Sequence, residues 1–298
     1  MNDKTLVQLQ KTLGIALSVV GVCGSLPLAS QATAIPVPSA LSTGSTTTPE
    51  QATPPSFLKL QVAQLGKQQV SRRVDSTFTK PKRLRDRGAP APGKRIGGGS
   101  RGGCPRANQF LTALVPVIPN TPNDSVLGLT FTNRPTFWFY LPYSFSSTRP
   151  VVFALKDERE NIIYQTELSG PGTRPGVVGF KLPENVQPLE VNKRYKWHFT
   201  IYCDREELSD FRSVEGWVER VALDRSFQQE LAVATPQQKA LLYAREGIWH
   251  ESVTTLAEQR RQKPNDDTLK QEWDKLMQGV DLGAIAPEPI TSMLTPKK

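Results

Sequence analysis

The chain has two histidines, His198 and His250, and they are the first residues to weigh for chemistry. Neither is followed at the third or fourth position by a metal-ligand residue, and the pattern His-Glu-x-x-His does not occur, so the helical zinc arrangement is excluded. Asp157 and Glu158 are adjacent near a strand end, which suits a turn or an ion pair before a catalytic dyad. Asp204, Glu206, Glu207 and Asp210 make an acidic loop with oxygen ligands for calcium, but without the spacing of a calcium loop. Gly97–Gly103 is glycine-rich, yet Cys104-Pro105 follows it where a phosphate loop needs Lys-Ser/Thr opening a helix. No catalytic residue, metal site or cofactor is assigned, and the sequence leans away from an enzyme.

Aromatic residues offer a different chemistry. Phe137, Trp138, Phe139 and Tyr140 are consecutive, so in a strand they occupy both faces. One reading is a central strand covered on both sides. The other is an exposed platform of Trp138 and Tyr140, with Arg134 beside them, that stacks on a sugar or a protein partner. Cys104 and Cys203 are the cysteines that remain once an N-terminal leader is removed, and an even count in an exported chain favours a disulfide between them.

These residues need elements to position them. Short apolar runs bounded by Pro, Gly and Asn predict strands near 126–131, 136–141, 151–156, 162–167, 176–182, 195–203 and 213–221. The sixth alternates most clearly: Tyr195, Trp197, Phe199, Ile201 and Cys203 share one face, and Lys196, His198, Thr200 and Tyr202 share the other. Seven such strands without intervening helices predict an immunoglobulin-like antiparallel β-sandwich over 107–225. A helical period follows over 226–298. Thr235-Pro236-Gln237-Gln238 is a capping box with Pro at the first helical position, opening a helix over 236–246. Further helices are predicted over 249–261 and 267–277.

The N-terminus has the layout of a secretory signal: Lys4 and Lys11, an apolar run from Leu13 to Leu28, then the small residues Ala32 and Ala34 flanking Thr33. Residues 1–34 are therefore expected to be removed, leaving no transmembrane helix. Residues 35–106 read as a disordered linker, poor in large apolar groups and basic from residue 67. The net charge of +9 sits there. From Lys67 to Arg106 there are twelve Lys and Arg, including Arg72, Arg73, Lys82, Arg83, Arg85, Arg87, Lys94, Arg95 and Arg101, against two acids. Residues 107–298 carry 22 basic and 24 acidic side chains. A folded part this close to neutral argues against nucleic acid as the partner. The tract suits an anionic envelope polymer such as lipopolysaccharide or acidic exopolysaccharide, or serves as a solubilising spacer.

Two resemblances add to this. Tyr243, Gly247, Trp249, Leu256 and Pro264 stand in the register of a single tetratricopeptide-like helix pair, which needs neighbours to cover its face. More widely, Gly102-Gly103-Cys104, Leu114-Val115-Pro116, Arg134 to Pro142, Tyr195-Lys196-Trp197, Cys203-Asp204, Gly216-Trp217-Val218 and Gly247-Ile248-Trp249 resemble a cyanobacterial exported family catalogued as domain of unknown function 928. That resemblance implies export and domain extent, and no activity. The expectation is an exported envelope binding module in the periplasm or outside the cell. Its alternatives are a hydrolase of envelope carbohydrate with a carboxylate pair, and a structural subunit docking through its helices.

Overall fold

A computed structural model describes residues 78–80, 88–98, 104–119, 123–144, 146–170 and 174–297. The expected signal residues Ala32 and Ala34, and Arg72, Arg73, Lys82, Arg83, Arg85, Arg87 and Arg101, lie outside them. Among the described residues, no helix is long and apolar enough to cross a membrane.

The element order is β1 (Thr112–Ala113), β2 (Val117–Ile118), β3 (Ser125–Thr130), β4 (Thr136–Leu141), β5 (Val151–Lys156), β6 (Ile162–Ser169), β7 (Gly176–Lys181), β8 (Arg194–Tyr202) and β9 (Phe211–Arg220), then α1 (Arg225–Val233), α2 (Pro236–Arg245), α3 (Trp249–Gln262) and α4 (Asp267–Gln278), and finally β10 (Ile290–Pro296). All seven expected strands are present. The sandwich is not. The ten strands form one hydrogen-bonded sheet in the order β1-β4-β7-β10-β6-β5-β8-β9-β3-β2. The sheet is mixed, because β10 runs parallel to β7 and β3 runs parallel to β9. It curls into a half-barrel. Phe139 of β4 stacks on Phe199 of β8 at 4.0 Å between ring centroids, although four strands separate them in the sheet. The physical reason for the difference is β10. This strand enters between β7 and β6, joins what would have been two sheets, and carries the chain back from the helices into the sheet.

The concave face holds the core. Phe137, Phe139, Phe153, Phe180, Trp197 and Phe199 are each no more than 1% exposed and pack there in one cluster. β8 alternates as the sequence predicts, with Tyr195, Trp197, Phe199 and Ile201 buried and the intervening residues half-buried. Close ring packing demands small neighbours: a Cβ on Gly216 would lie 2.5 Å from the Trp197 ring.

The helices cover the other face of β4. α2 starts with the expected capping box: the Thr235 side chain accepts from Gln238 N–H, and Gln238 accepts from Thr235 N–H. α4 is capped by Asp266, whose carboxylate accepts from Thr268 and Leu269 N–H. Ser252 on α3 donates to the Ala240 carbonyl at 2.9 Å, so its small side chain lets α2 and α3 approach closely. α4 and the sheet close the remaining apolar faces of that pair: Leu256, Ala257, Leu269, Trp273 and Val177 share one buried cluster.

Two pieces of the expected linker belong to this unit. Phe78 is buried edge-on against Trp249 at 5.1 Å, and Thr79 N–H donates to the Ala244 carbonyl at 3.0 Å. Residues 94–97 form a strap across the open side of the half-barrel. Lys94 pairs with Glu215 of β9 through two 2.9 Å bonds, and on the other side Ala113 N–H donates to the Arg95 carbonyl and Gly97 N–H to that of Leu111. The Arg95 guanidinium donates to the Val280 and Asp281 carbonyls just beyond α4, tying the strap to the segment that leaves that helix.

Candidate functional site

Apart from Arg134 and His250, which line one cleft, the residues singled out by the sequence do not converge on a site. Trp138 and Tyr140 share a face, as strand alternation requires, but that face lies under the helices. Trp138 is 1% exposed and Tyr140 5%, and Trp138 Nε1 donates to Thr254 Oγ1 at 3.0 Å. The exposed platform is therefore corrected: an aromatic strand with apolar residues on both faces is one buried on both sides. Arg134 is a structural clamp. Its guanidinium donates to the carbonyls of Pro183, Glu184 and Val186 at 2.8–3.1 Å and holds the turn after β7.

Cys104 and Cys203 form a disulfide, with Cα atoms 4.6 Å apart. Asp157 closes the β5–β6 hairpin, where its carboxylate accepts from Arg159 N–H, Asn161 N–H and the Asn161 side chain. The acidic loop turns its charges onto itself. Asp204 accepts from Glu206 N–H, Glu207 accepts from Ser209, and Asp210 pairs with Arg212 at 3.4 Å. Among the described residues, only Cys104, Cys203 and Asp210 cluster closely enough to hold a metal, and the two sulfurs are already bonded to each other. His198 lies on the outer face of β8 beside Glu215 at 3.1 Å.

A different group does converge, at the seam where β3 and β4 approach each other from the two flanks of the curled sheet. The first turn of α3 plugs this seam with three consecutive side chains. Trp249 Nε1 donates to the Leu114 carbonyl at 2.7 Å. His250 Nδ1 lies 3.0 Å from the Thr136 carbonyl on β4. Its ring rests on the β3 backbone at Gly128, where a Cβ would lie 2.6 Å from Nε2, so only glycine fits there. Glu251 reaches β3: its Oε1 accepts from Thr130 Oγ1 at 2.5 Å, Thr132 Oγ1 at 3.1 Å and Thr132 N–H at 3.2 Å.

Burial sets the electrostatics. His250 is 2% exposed, and loss of solvent drops its pKa from 6.5 to about 4, against a smaller opposing effect of its bond to Thr136. Burial pushes the Glu251 carboxyl the other way, above its ordinary value, although the bonds from Thr130 and Thr132 favour the charged form. Burial also raises the neighbouring Tyr243 hydroxyl, and the Glu251 charge adds to that. Among the described residues, Glu251 Oε2 and His250 Nε2 have no hydrogen-bond partner. Both residues line a cleft of about 210 Å³, whose rim carries Lys181 and Glu258, with Thr254 and Thr255 on its wall. A larger groove of about 390 Å³ lies by the β5–β6 hairpin and is lined by Asp157, Lys193, Arg194 and Tyr195. It holds no fully buried polar group without a partner.

The family model for Domain of Unknown Function (DUF928) matches residues 96–290, about two thirds of the chain. The chain belongs to that family. The match takes in β1 to β9, all four helices and the whole seam, and begins at the strap residue Ile96. No curated protein matches the chain at a significant level. Sequence reasoning did not select Glu251. The sequence held no signal for it, because Glu251 stands two residues after Trp249, on the opposite side of the helix from the apolar stripe of Trp249, Val253 and Leu256.

Proposed function

We propose that this DUF928 protein is exported and works as a non-enzymatic binding module of the cell envelope. The observation that carries the reading is the Cys104–Cys203 disulfide, which ties the strap region to the end of β8. Such bonds persist in oxidising compartments outside the cytoplasm. The signal layout of residues 1–34 supports the same location. The binding partner is an anionic envelope polymer, attracted by the cationic residues between Lys67 and Arg106.

The structure changes how this is tested. Phe78 and residues 94–97 are built into the fold, so trimming the chain to residue 103 would remove part of the folded unit. The comparison is instead between the chain 35–298 and the same chain with Arg72, Arg73, Lys82, Arg83, Arg85 and Arg87 replaced by Gln. Co-sedimentation with isolated envelopes is expected to fall with salt for the first and to be weak throughout for the second. Equal, salt-independent binding of both overturns the electrostatic part. A fully cytoplasmic protein with reduced cysteines overturns export.

A second reading is favoured by one observation. Glu251, held towards its neutral form, shares a cleft with Glu258, a pairing used for acid catalysis in carbohydrate hydrolysis. Turnover of an envelope glycan, abolished by both Glu251→Gln and Glu258→Gln, would place this reading first.

A further inference from the structure

We infer that the seam cleft is a binding site for one ring of an uncharged sugar, or an equally hydroxyl-rich small ligand. The inference is independent of the basic tract and holds whether or not the ligand is turned over. Three features of the cleft lead to it.

Glu251 is fully desolvated, yet only one of its two carboxyl oxygens is used. A buried polar atom without a partner is rare in a folded chain and costs stability unless something fills the position. Glu251 lines the cleft and its unused oxygen lies just behind that wall, with almost no accessible surface, so a hydroxyl seated against the wall is the group placed nearest to that need. In its neutral form, Oε2–H is a donor, and a sugar hydroxyl is an acceptor that suits it.

The rest of the lining is mixed in sign and rich in hydroxyls. Thr132, Thr254 and Thr255 each place a hydroxyl group there, Lys181 offers donors and Glu258 offers acceptors, while Arg134, which also lines the cleft, has Nε and Nη2 spent on the Pro183, Glu184 and Val186 carbonyls and Nη1 3.6 Å from Glu184. Among the described residues, Lys181 and Glu258 make no ion pair, so both are available. A phosphate or carboxylate ligand would meet Lys181 favourably but would face Glu258 as well. A cation would meet Glu258 but face Lys181. A vicinal diol both donates and accepts, so it can serve both rim residues at once, as neither ion can.

The volume limits the size. At about 210 Å³ the cleft lies below the range typical of sites for drug-sized molecules, so it takes a single ring. The rigid setting also matters. The cleft is formed by the β3–β4 connection, β4, the end of β7, α2 and α3, and the seam contacts fix α3 against the sheet, so little ordering is required on binding.

The test is ligand-observed NMR and calorimetry on the chain 35–298, with glucose, N-acetylglucosamine, glucuronate and inorganic phosphate as probes. Glucose and N-acetylglucosamine carry no charge, so the basic tract does not attract them. The expected result is saturable binding of at least one neutral sugar, with a dissociation constant on the order of millimolar for a single ring. Thr255→Val and Lys181→Met, at half-buried and exposed positions, should leave the fold intact and weaken binding about tenfold or more. Glu251→Gln, which keeps a donor, should bind within a few-fold of the parent. Three results would overturn the inference: no binding of any neutral sugar, binding of phosphate or glucuronate alone, or sugar binding that both rim variants leave unchanged.

Discussion

The seam and the acidic loop at 204–210 treat carboxylates in opposite ways. The loop has four acids in seven residues, of which Asp204, Glu206 and Glu207 are exposed and Asp210 is largely covered, and three of the four are spent on nearby N–H, hydroxyl or guanidinium groups. The seam has one buried acid, with one oxygen held by Thr130 at the end of β3 and Thr132 just beyond it, and the other unused. The loop is dense in charge along the sequence, but it lacks the spacing of a calcium loop. Burial and convergence favour the seam, because a desolvated group whose hydrogen-bond capacity is not exhausted is the one a ligand can satisfy. Five perturbations would break or sharpen that contrast.

The largest effect is expected from Trp249→Ala. It removes a side chain with no exposed surface and frees the Leu114 carbonyl, so it should cost about 3–5 kcal/mol in denaturant unfolding. Next is His250. Its folded pKa of about 4 lies below the unfolded 6.5, so the unfolded chain binds the extra proton between those values. Stability present above pH 6.5 is therefore lost as the pH falls towards 4, by roughly 3 kcal/mol from the 2.5-unit gap. His250→Gln should lack that slope, at the cost of lower stability at neutral pH. Glu251 has the opposite sign. Its folded pKa is raised, so stability present below 4.5 is lost as the pH rises through the folded value, and Glu251→Gln should flatten that limb.

Cutting the disulfide with Cys104→Ser and Cys203→Ser should cost about 2–4 kcal/mol, since it frees a loop whose ends are 99 positions apart. That loss sharpens the contrast if the stretch 203–210 gains amide exchange while Trp249–Glu251 stays protected. The smallest effect belongs to the acidic loop itself. Asp204→Asn or Glu206→Gln should change stability by no more than about 0.5 kcal/mol, and calcium on the order of millimolar should leave Tm unchanged.

Much of the fold was legible because strand period and helix caps are local. The seven expected strands match β3 to β9 to within a residue or two, and the capping box at Thr235 opens α2 as read. What could not be read was pairing. β10 carries Thr291, Ser292 and Thr295 and follows a helical stretch, so nothing in its own sequence says that it inserts between β7 and β6. That insertion turns a sandwich into one curled sheet. α1 was missed because only Phe227 and Leu231 on it are buried, too few to show a period. β1 and β2, of two residues each, are too short to carry one. Lys94 and Arg95 read as linker because their roles lie in backbone pairing and in capping carbonyls near residue 280, long-range contacts that composition does not report.

The site was less legible than the fold for the same reason. Trp138 was visible as an aromatic, but its covering by α3 depends on how the helices dock. Glu251 was visible as a helix residue, but its burial depends on β3 and β4 meeting at the seam. A charged residue beside a tryptophan at a helix start is ordinarily solvated, and only the tertiary arrangement separates the two cases.

The central claim is that Glu251 is a desolvated carboxyl kept towards its neutral form in the seam. The most direct measurement is the pH titration of that single carboxyl, by carboxyl-selective ¹³C NMR or by infrared difference against Glu251→Gln. The predicted result is a midpoint above 4.5, with the protonated signal persisting above that pH. A midpoint at or below 4.5 would contradict it, and would mean that the three bonds from Thr130 and Thr132 outweigh burial and hold a charged carboxylate in the seam.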